Sequence, residues 1–358
     1  METNNILEMK DIDKSFLSVR ALNKCKFSLR RGEIHALIGE NGAGKSTLVK
    51  IMTGIYNDFD GEYFYDNQKV HFQSIKEAQH MGISIVHQEL NMMNDLTVAQ
   101  NIFIGRETNG FFCTDAAINK KAAKLIADFE INVKETDLLK ELTVGKAQMV
   151  EIARAMSFDT TKVLILDEPT AALSKTESED LFKKMEHLQK KGVSIIFISH
   201  RLDEIMKVAD RVTVMRDGAY IDTRDITNCT EDDIIHLMVG REILQEPKQK
   251  SNVKPNAPVV LEAKHLKSSK VKDVSFVLKK GEILGFAGLV GAGRTEVMRL
   301  LCGADKMESG AILVNGVEKT IHHSKDAIQC GIGYLSEDRK RYGLVLGLSV
   351  SENTVLSS

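Results

Sequence analysis

The chain has 358 residues, 43% of them hydrophobic, and a formal net charge of −2. That suits two ordinary buried cores and excludes a chain built for wholesale binding to nucleic acid or to an acidic membrane surface. The five cysteines (Cys25, Cys113, Cys229, Cys302, Cys330) are scattered without a CxxC pair, against a disulfide framework or a zinc site and in favour of a reducing cytoplasm. The start, METNNILEMKDIDKSF, has no apolar signal core, and the longest apolar run, 283–293, falls short of the roughly 20 residues that span a bilayer. If the chain works at a membrane, a partner holds it there.

In chain order, the first predicted unit is strand, loop, helix. EIHALIG is a short apolar strand running into Gly39-Glu40-Asn41-Gly42-Ala43-Gly44-Lys45-Ser46-Thr47, and KSTLVKIMTG reads as a helix closed by Gly54. The spacing Gly39-x4-Gly44-Lys45-Ser46 is that of a phosphate-binding loop. Its glycines let backbone N–H groups turn around phosphates, Lys45 reaches the β/γ-phosphates, and the Ser46 hydroxyl binds Mg²⁺. Further on, VLILDEPT buries four apolar residues and presents Asp167 at the carboxyl edge of a strand, where ligands sit in open α/β sheets. Asp167 is placed for the Mg²⁺ shell, and Glu168 to polarise an attacking water. TESEDLFKKMEHLQKKG puts Leu181, Met185 and Leu188 on one helical face and ends at Gly192. VSIIFISH is the next buried strand, with His200 at its end. Strands alternating with helices predict a mainly parallel, doubly covered α/β sheet. Taken singly, His200, Gln88 in VHQEL and Phe16 are ordinary structural or surface residues.

The segment 245–258 holds three of the four prolines and no apolar periodicity, and reads as an exposed linker. Beyond it the opening pattern returns. RGEIHALIGENGAGKST from Arg31 aligns with KGEILGFAGLVGAGRTE from Lys280 at a constant offset of 249 residues, and GISIVHQ aligns with GIGYLSE. LTVAQN answers LSVSEN after a slip of three. The expected organisation is a first nucleotide-binding domain over 1–245, a linker over 246–258, and the N-terminal part of a second copy over 259–358. That copy halts just past the point matching Asn101, as a fragment or truncated product would.

The phosphate loop, Gln88 in HQE, LTVGKAQMVEIARAM, LDEPT and the strand-end His200 form, in order, the motif series of ABC-type ATPases, which the chain resembles along its whole length. LTVGK resembles that family's signature, written LSGGQ: Thr143 and Gly145 match it, Val144 and Lys146 depart. The resemblance implies a P-loop nucleoside triphosphatase fold with a helical subdomain, followed by a truncated second copy, and ATP with Mg²⁺ as cofactors. It implies Phe16, 29 residues before Lys45, as the adenine-stacking aromatic. It makes Gln88 and His200 catalytic partners of Glu168, and Ser46, Gln88 and Asp167 the metal set. TAALS, 170–174, resembles the D-loop, with Ser174 for the usual aspartate. IVHQELNMMNDLTVAQNIFIGRE and LSEDRKRYGLVLGLSVSEN are similar to the ATPase subunits of bacterial monosaccharide importers, ribose-type first, with galactose and xylose types sharing most of the wording. Such a subunit lies at the cytoplasmic face of the cell membrane as a peripheral protein. It works with two transmembrane permease subunits, an extracytoplasmic sugar-binding protein and no nucleic acid, with a dimer of ATPase chains as one arrangement.

In this family each ATP lies between one domain's phosphate loop and the other's signature. The departures of this chain then gather on one composite site. Thr143 and Gly145 act in trans on the second loop, Gly288 to Gly293, which has Arg294 for lysine and Glu296 where the first has Thr47, while Thr295 keeps the hydroxyl. Arg keeps the charge in a bulky planar fork. Glu337 stands where the first copy has Gln88. The expectation is one hydrolytic and one degenerate site. Alternatives are a tandem ABC ATPase outside transport, or a regulatory subunit; the acid pair Asp167–Glu168 favours an active ATPase over the latter.

Overall fold

The computed structural model describes residues 4–88, 90–106, 115–158, 160–171, 173–240, 253–254, 256–288, 291–336 and 342–356. It divides into two compact units, Met1–Gln245 and Glu246–Ser358. Of the linker, only 253–254 and 256–258 are among the described residues.

The first unit opens with β1 (Asn5–Phe16) and β2 (Val19–Arg30), then the fully buried β3 (Ile34–Ile38) and α1 (Lys45–Met52). β4 (Asp60–Tyr65), β5 (Gln68–Lys69), α2 (Ile75–His80) and β6 (Ile83–Val86) follow. A helical segment comes next: α3 (Val98–Phe103), α4 (Asp115–Asp128) and α5 (Val144–Met156). The chain then returns to the sheet with β7 (Val163–Asp167), α6 (Lys175–Lys190), β8 (Ser194–Ile198), α7 (Leu202–Val208), β9 (Arg211–Arg216), β10 (Ala219–Asp225) and α8 (Glu231–Val239). Helix starts follow local chemistry. Thr97 with Gln100, Ser174 with Glu177 and Thr230 with Asp233 each form a capping box that satisfies orphan N–H groups.

The predicted parallel sheet is present as six strands in the order β10-β9-β3-β8-β7-β6, parallel except for β10. A second, antiparallel sheet, β2-β1-β4-β5, is additional to the expectation. It arises from the alternation of buried and exposed residues along 5–30, where Leu7, Met9, Ile12, Leu22, Phe27 and Leu29 line one face. One core lies between this sheet, α1 and one face of the parallel sheet. Another covers the opposite face with α6, α7 and α8, where Leu181, Met185 and Leu188 are buried as their spacing predicts. Each such side chain contributes about 1.5–3 kcal/mol. α3, α4 and α5 close a separate small core around Ala99, Ala122 and Val150.

The second unit pairs β11 (Val259–Lys267), β12 (Val274–Lys279), β13 (Ser309–Val314) and β14 (Val317–Lys319) in an antiparallel sheet, with α9 (Arg294–Leu301), α10 (Ser324–Gln329) and α11 (Val350–Val355). The repeat is visible in its local devices. Gly61 and Gly310 both leave no room for a Cβ, because the carbonyls of Asp11 and His265 lie within 2.7 Å of where it would stand. Residues 282–288, the counterpart of β3, form no strand, and Ile283 is 98% exposed. In the first unit β3 takes its partners from 194–216, a stretch with no counterpart among the 358 residues at the repeat offset.

Candidate functional site

The strand order places β3, β8, β7 and β6 side by side and parallel. Their carboxyl ends therefore deliver the phosphate loop, His200, the Asp167–Glu168 pair and Gln88 to one edge of the sheet. Four sequence motifs separated by up to 161 residues meet there.

The loop is shaped by its glycines. A Cβ on Gly39 would overlap the Met215 carbonyl of β9. Gly42 and Gly44 have φ of 87° and 95°, which only glycine adopts freely. Gly44 is the N-terminal cap of α1, so the loop delivers its N–H groups to the positive end of that helix. The amide of Ala43 donates to the Glu40 carbonyl at 3.0 Å and tightens the turn. Lys45 Nζ donates to the carbonyls of Gly39 at 2.7 Å and Glu40 at 3.1 Å, folding its ammonium across the loop. Burial lowers the pKa of that ammonium, with Glu168 and Asp167 pulling the other way. Ser46 and Thr47 follow in the first turn of α1, and Asn41 lies exposed at the rim.

Asp167 ends β7 half buried, its carboxyl raised above the usual range by burial and then by Glu168 beside it. A cation would relieve both penalties. Hydroxyl, amide and carboxylate oxygens from Ser46, Gln88 and Asp167 are the hard donors that Mg²⁺ takes alongside phosphate, so these residues fit the ion. No group of three or more His, Cys, Asp or Glu among the described residues is placed to hold a metal ion.

Glu168 adopts φ of 47°, a left-handed conformation uncommon for a non-glycine residue, and its N–H donates to the Ile198 carbonyl of β8 at 2.9 Å. The turn aims the carboxylate between two partners. Gln88 Nε2 donates to Glu168 Oε2 at 2.9 Å, and His200 Nδ1 lies 3.5 Å from Glu168 Oε1. Sequence order alone made these three neighbours by resemblance; the structure brings them into contact. A residue the motifs missed holds the arrangement. Buried Glu204 accepts from Thr170 Oγ1 at 2.6 Å and from Ser199 Oγ at 3.2 Å, tying the Glu168 turn to the His200 turn. A glutamate four residues past His200, in the first turn of the helix that follows, is its signal in the sequence.

Thr143 caps α5, accepting from the Lys146 amide, and Gly145 is buried where a Cβ would overlap the Glu177 carboxylate. The matched residues of the signature thus have local structural reasons, and the departing Val144 is half exposed. Phe16 ends β1 at the hairpin tip and is 36% exposed.

In the second unit Gly291 and Gly293 keep φ of 81° and 88°, and Gly293 caps α9 as Gly44 caps α1. These two glycines keep the backbone conformation of Gly42 and Gly44, while the residues after them change in side chain, Arg294 for Lys45 and Glu296 for Thr47. Arg294 and Thr295 are exposed, and the Arg294 chain lies along Gly288, its Cδ 3.6 Å from where a Cβ would stand. Glu337 lies outside the described residues.

The ABC transporter family profile matches residues 22–171 and 271–356. A ribose/galactose/methyl galactoside import ATP-binding protein of Burkholderia lata is 49% identical over 357 residues, covering 99% of this chain and 69% of the relative. The ribose import ATP-binding protein RbsA of Lactococcus lactis is 47% identical over 357 residues, with 98% and 71% covered. Among solved structures, an ATP-binding cassette of an ABC transporter in its ADP conformation aligns with a TM-score of 0.59 at 26% identity, over 67% of this chain and 100% of that one. A dimeric cassette in a post-hydrolysis state, bound to ADP and Pi, shares the fold at a TM-score of 0.54 and 22% identity, over 62% and 98%.

Proposed function

The chain belongs to the ABC transporter family of ATP-binding proteins, and on that premise we propose that it hydrolyses ATP to drive import of a monosaccharide, ribose-type first, through partner permease subunits. The observation that carries the hydrolytic reading is the contact of Glu168 with both Gln88 and His200 at the strand edge that holds Lys45. The loop amides and Lys45 hold the phosphates. Ser46, Gln88 and Asp167 hold Mg²⁺, which when bound neutralises charge on the β- and γ-phosphates. Glu168 accepts the proton of the attacking water, Gln88 orients its carboxylate, and His200 stabilises the charge developing nearby. Phe16 stacks on the adenine.

The sugar reading rests on the names of the relatives, which are import proteins for ribose, galactose and methyl galactoside. No helix among the described residues is long and apolar enough to cross a membrane, so membrane subunits and an extracytoplasmic sugar-binding protein complete the reading, with this chain at the cytoplasmic face. The domains proposed are 1–245 and, after a linker over 246–258, a second copy from 259 whose Arg294 site is degenerate. Equilibrium binding of Mg-ATP tests the core of this. Lys45→Ala should abolish binding at the first site, and unchanged affinity would overturn the assignment.

A further inference from the structure

Phe16 does not stand alone. Its ring meets Tyr56 edge-on, with centroids 5.1 Å apart and planes at 63°. The Lys14 ammonium lies over both rings, 4.8 Å from the Phe16 centroid and 5.6 Å from that of Tyr56. The Lys14 side chain is only 3% exposed, pairs with the Asp58 carboxylate and donates to the Asp58 carbonyl at 2.7 Å. One side of Phe16 is thus backed by a fixed cation and its edge by an aromatic ring, while the ring remains 36% exposed. Tyr56 in turn is anchored to the phosphate-loop helix. Its N–H donates to the Lys50 carbonyl at 3.0 Å, and Lys50 Nζ lies 5.4 Å from its ring. The helix that presents Lys45 at one end therefore holds, in the turn just past its other end, the ring that steadies Phe16.

The second unit supplies an independent comparison. There Ser268, Ser269 and Lys270 occupy the stretch after β11 that corresponds to Lys14–Phe16, as fixed by the pairings Asp13↔Asp60 and Lys267↔Ser309. Asp305 replaces Tyr56 at the repeat offset. It keeps the same turn, its N–H donating to the Arg299 carbonyl at 3.3 Å, but its carboxylate binds the Arg299 guanidinium at 2.7 and 2.8 Å. Ser268, Lys270 and Asp305 thus stand where the first unit has Lys14, Phe16 and Tyr56, and with Lys306 and Glu308 they line a polar pocket; the ring at this helix end is Tyr342, 5.0 Å from the Arg299 guanidinium.

We propose that Tyr56, with Lys14 behind it, is a positioning residue for the purine base: it fixes the Phe16 ring at a set reach from the phosphate loop, and the second unit has lost this platform as a whole. The proposal rests on the reading of Phe16 as the base-stacking residue. Edge-to-face pairs and cation–π contacts hold orientation because the ring quadrupole favours them over a free rotor.

Calorimetric titration of the chain with Mg-ATP and, separately, with magnesium and inorganic tripolyphosphate tests it. Tyr56→Leu should weaken ATP binding roughly threefold to tenfold, the range an aromatic pair supports. It should leave tripolyphosphate binding unchanged, and Tyr56→Phe should restore ATP binding. Equal loss of both ligands in Tyr56→Leu would mean a merely structural role and overturn the proposal. ATP affinity unchanged in Tyr56→Leu but reduced in Phe16→Leu would also overturn it, with the base reading intact. If Phe16→Leu itself binds ATP as the native chain does, the underlying reading falls and the proposal with it.

Discussion

Glu168 is the residue on which the hydrolytic reading turns. Its left-handed φ and its amide bond to Ile198 set the carboxylate between Gln88 and His200. Glu168→Gln keeps the size and a hydrogen-bond partner for Gln88 but removes the proton acceptor. ATP should therefore still bind, while turnover by the chain assembled with its membrane partners should fall roughly 10²–10⁴-fold, the span that general bases supply. A rapid-quench assay showing native turnover would exclude Glu168 as the base. Lys45, Asp167, Glu168 and the loop glycines were legible in the sequence because their chemistry is carried by spacing along a few residues. Glu204, Lys14 and Tyr56 were not, because each acts through a contact with a residue 34 to 44 positions away or on another element, and nothing in their own neighbourhoods distinguishes a brace from an ordinary side chain.

At the scale of elements, β3 and β9 are joined at their amino ends by a buried polar cluster remote from the phosphate loop. Arg211 binds Glu33 through two contacts of 3.0 Å, His35 Nδ1 lies 3.0 Å from Glu33, and His35 Nε2 lies 2.7 Å from Thr213 Oγ1. His35 is fully buried, and that burial lowers its pKa against the pull of Glu33. Burial by itself would raise the Glu33 carboxyl, but hydrogen bonds from His35, the Arg30 amide and Arg211 outweigh it and hold the group at about 2. The signs agree. The unfolded chain takes a proton on His35 below about pH 6.5 that the folded chain refuses, and on Glu33 below about pH 4.5 likewise. Stability should therefore fall on acidification, first by up to about 1.4 kcal/mol per pH unit from His35. Urea unfolding between pH 8 and 5 checks this. His35→Gln should flatten the dependence by about one proton, and an unaltered slope would show that His35 does not set it. The parallel strands themselves were legible, since four or five consecutive apolar residues bounded by turns mark a strand buried on both faces. The antiparallel sheet was not, because β1 and β4 find each other across 44 residues and their pairing depends on bulges at Asp11 and Lys24 that no local pattern announces.

For the whole molecule, the repeat extends to side-chain hydrogen bonds. Asn101 Oδ1 accepts from the Met93 amide and its Nδ2 donates to the carbonyls of Met93, Leu96 and Thr97. Asn353 does the same with Val345, Leu348 and Ser349. The positive φ of Gly42 and Gly44 likewise returns at Gly291 and Gly293. What differs is charge and surface: Arg294 for Lys45, Glu296 for Thr47, and Asp305 for Tyr56. Lys45 turns a compact ammonium toward the Gly39 and Glu40 carbonyls, whereas Arg294, whose chain lies along Gly288, brings a bulkier planar fork to the same place. A carboxylate in the first turn adds repulsion toward phosphate, and without an aromatic platform the base adds little. These three losses act on the same ligand and should compound. Calorimetry with Mg-ATP should then count one site per chain in the micromolar range or tighter. Arg294→Ala should leave stoichiometry and affinity as they are, and Lys45→Ala should remove the site that is counted. Two sites of equal affinity, or a loss of binding in Arg294→Ala, would show that the glycines the second loop keeps outweigh its altered side chains and that the second unit binds nucleotide in its own right.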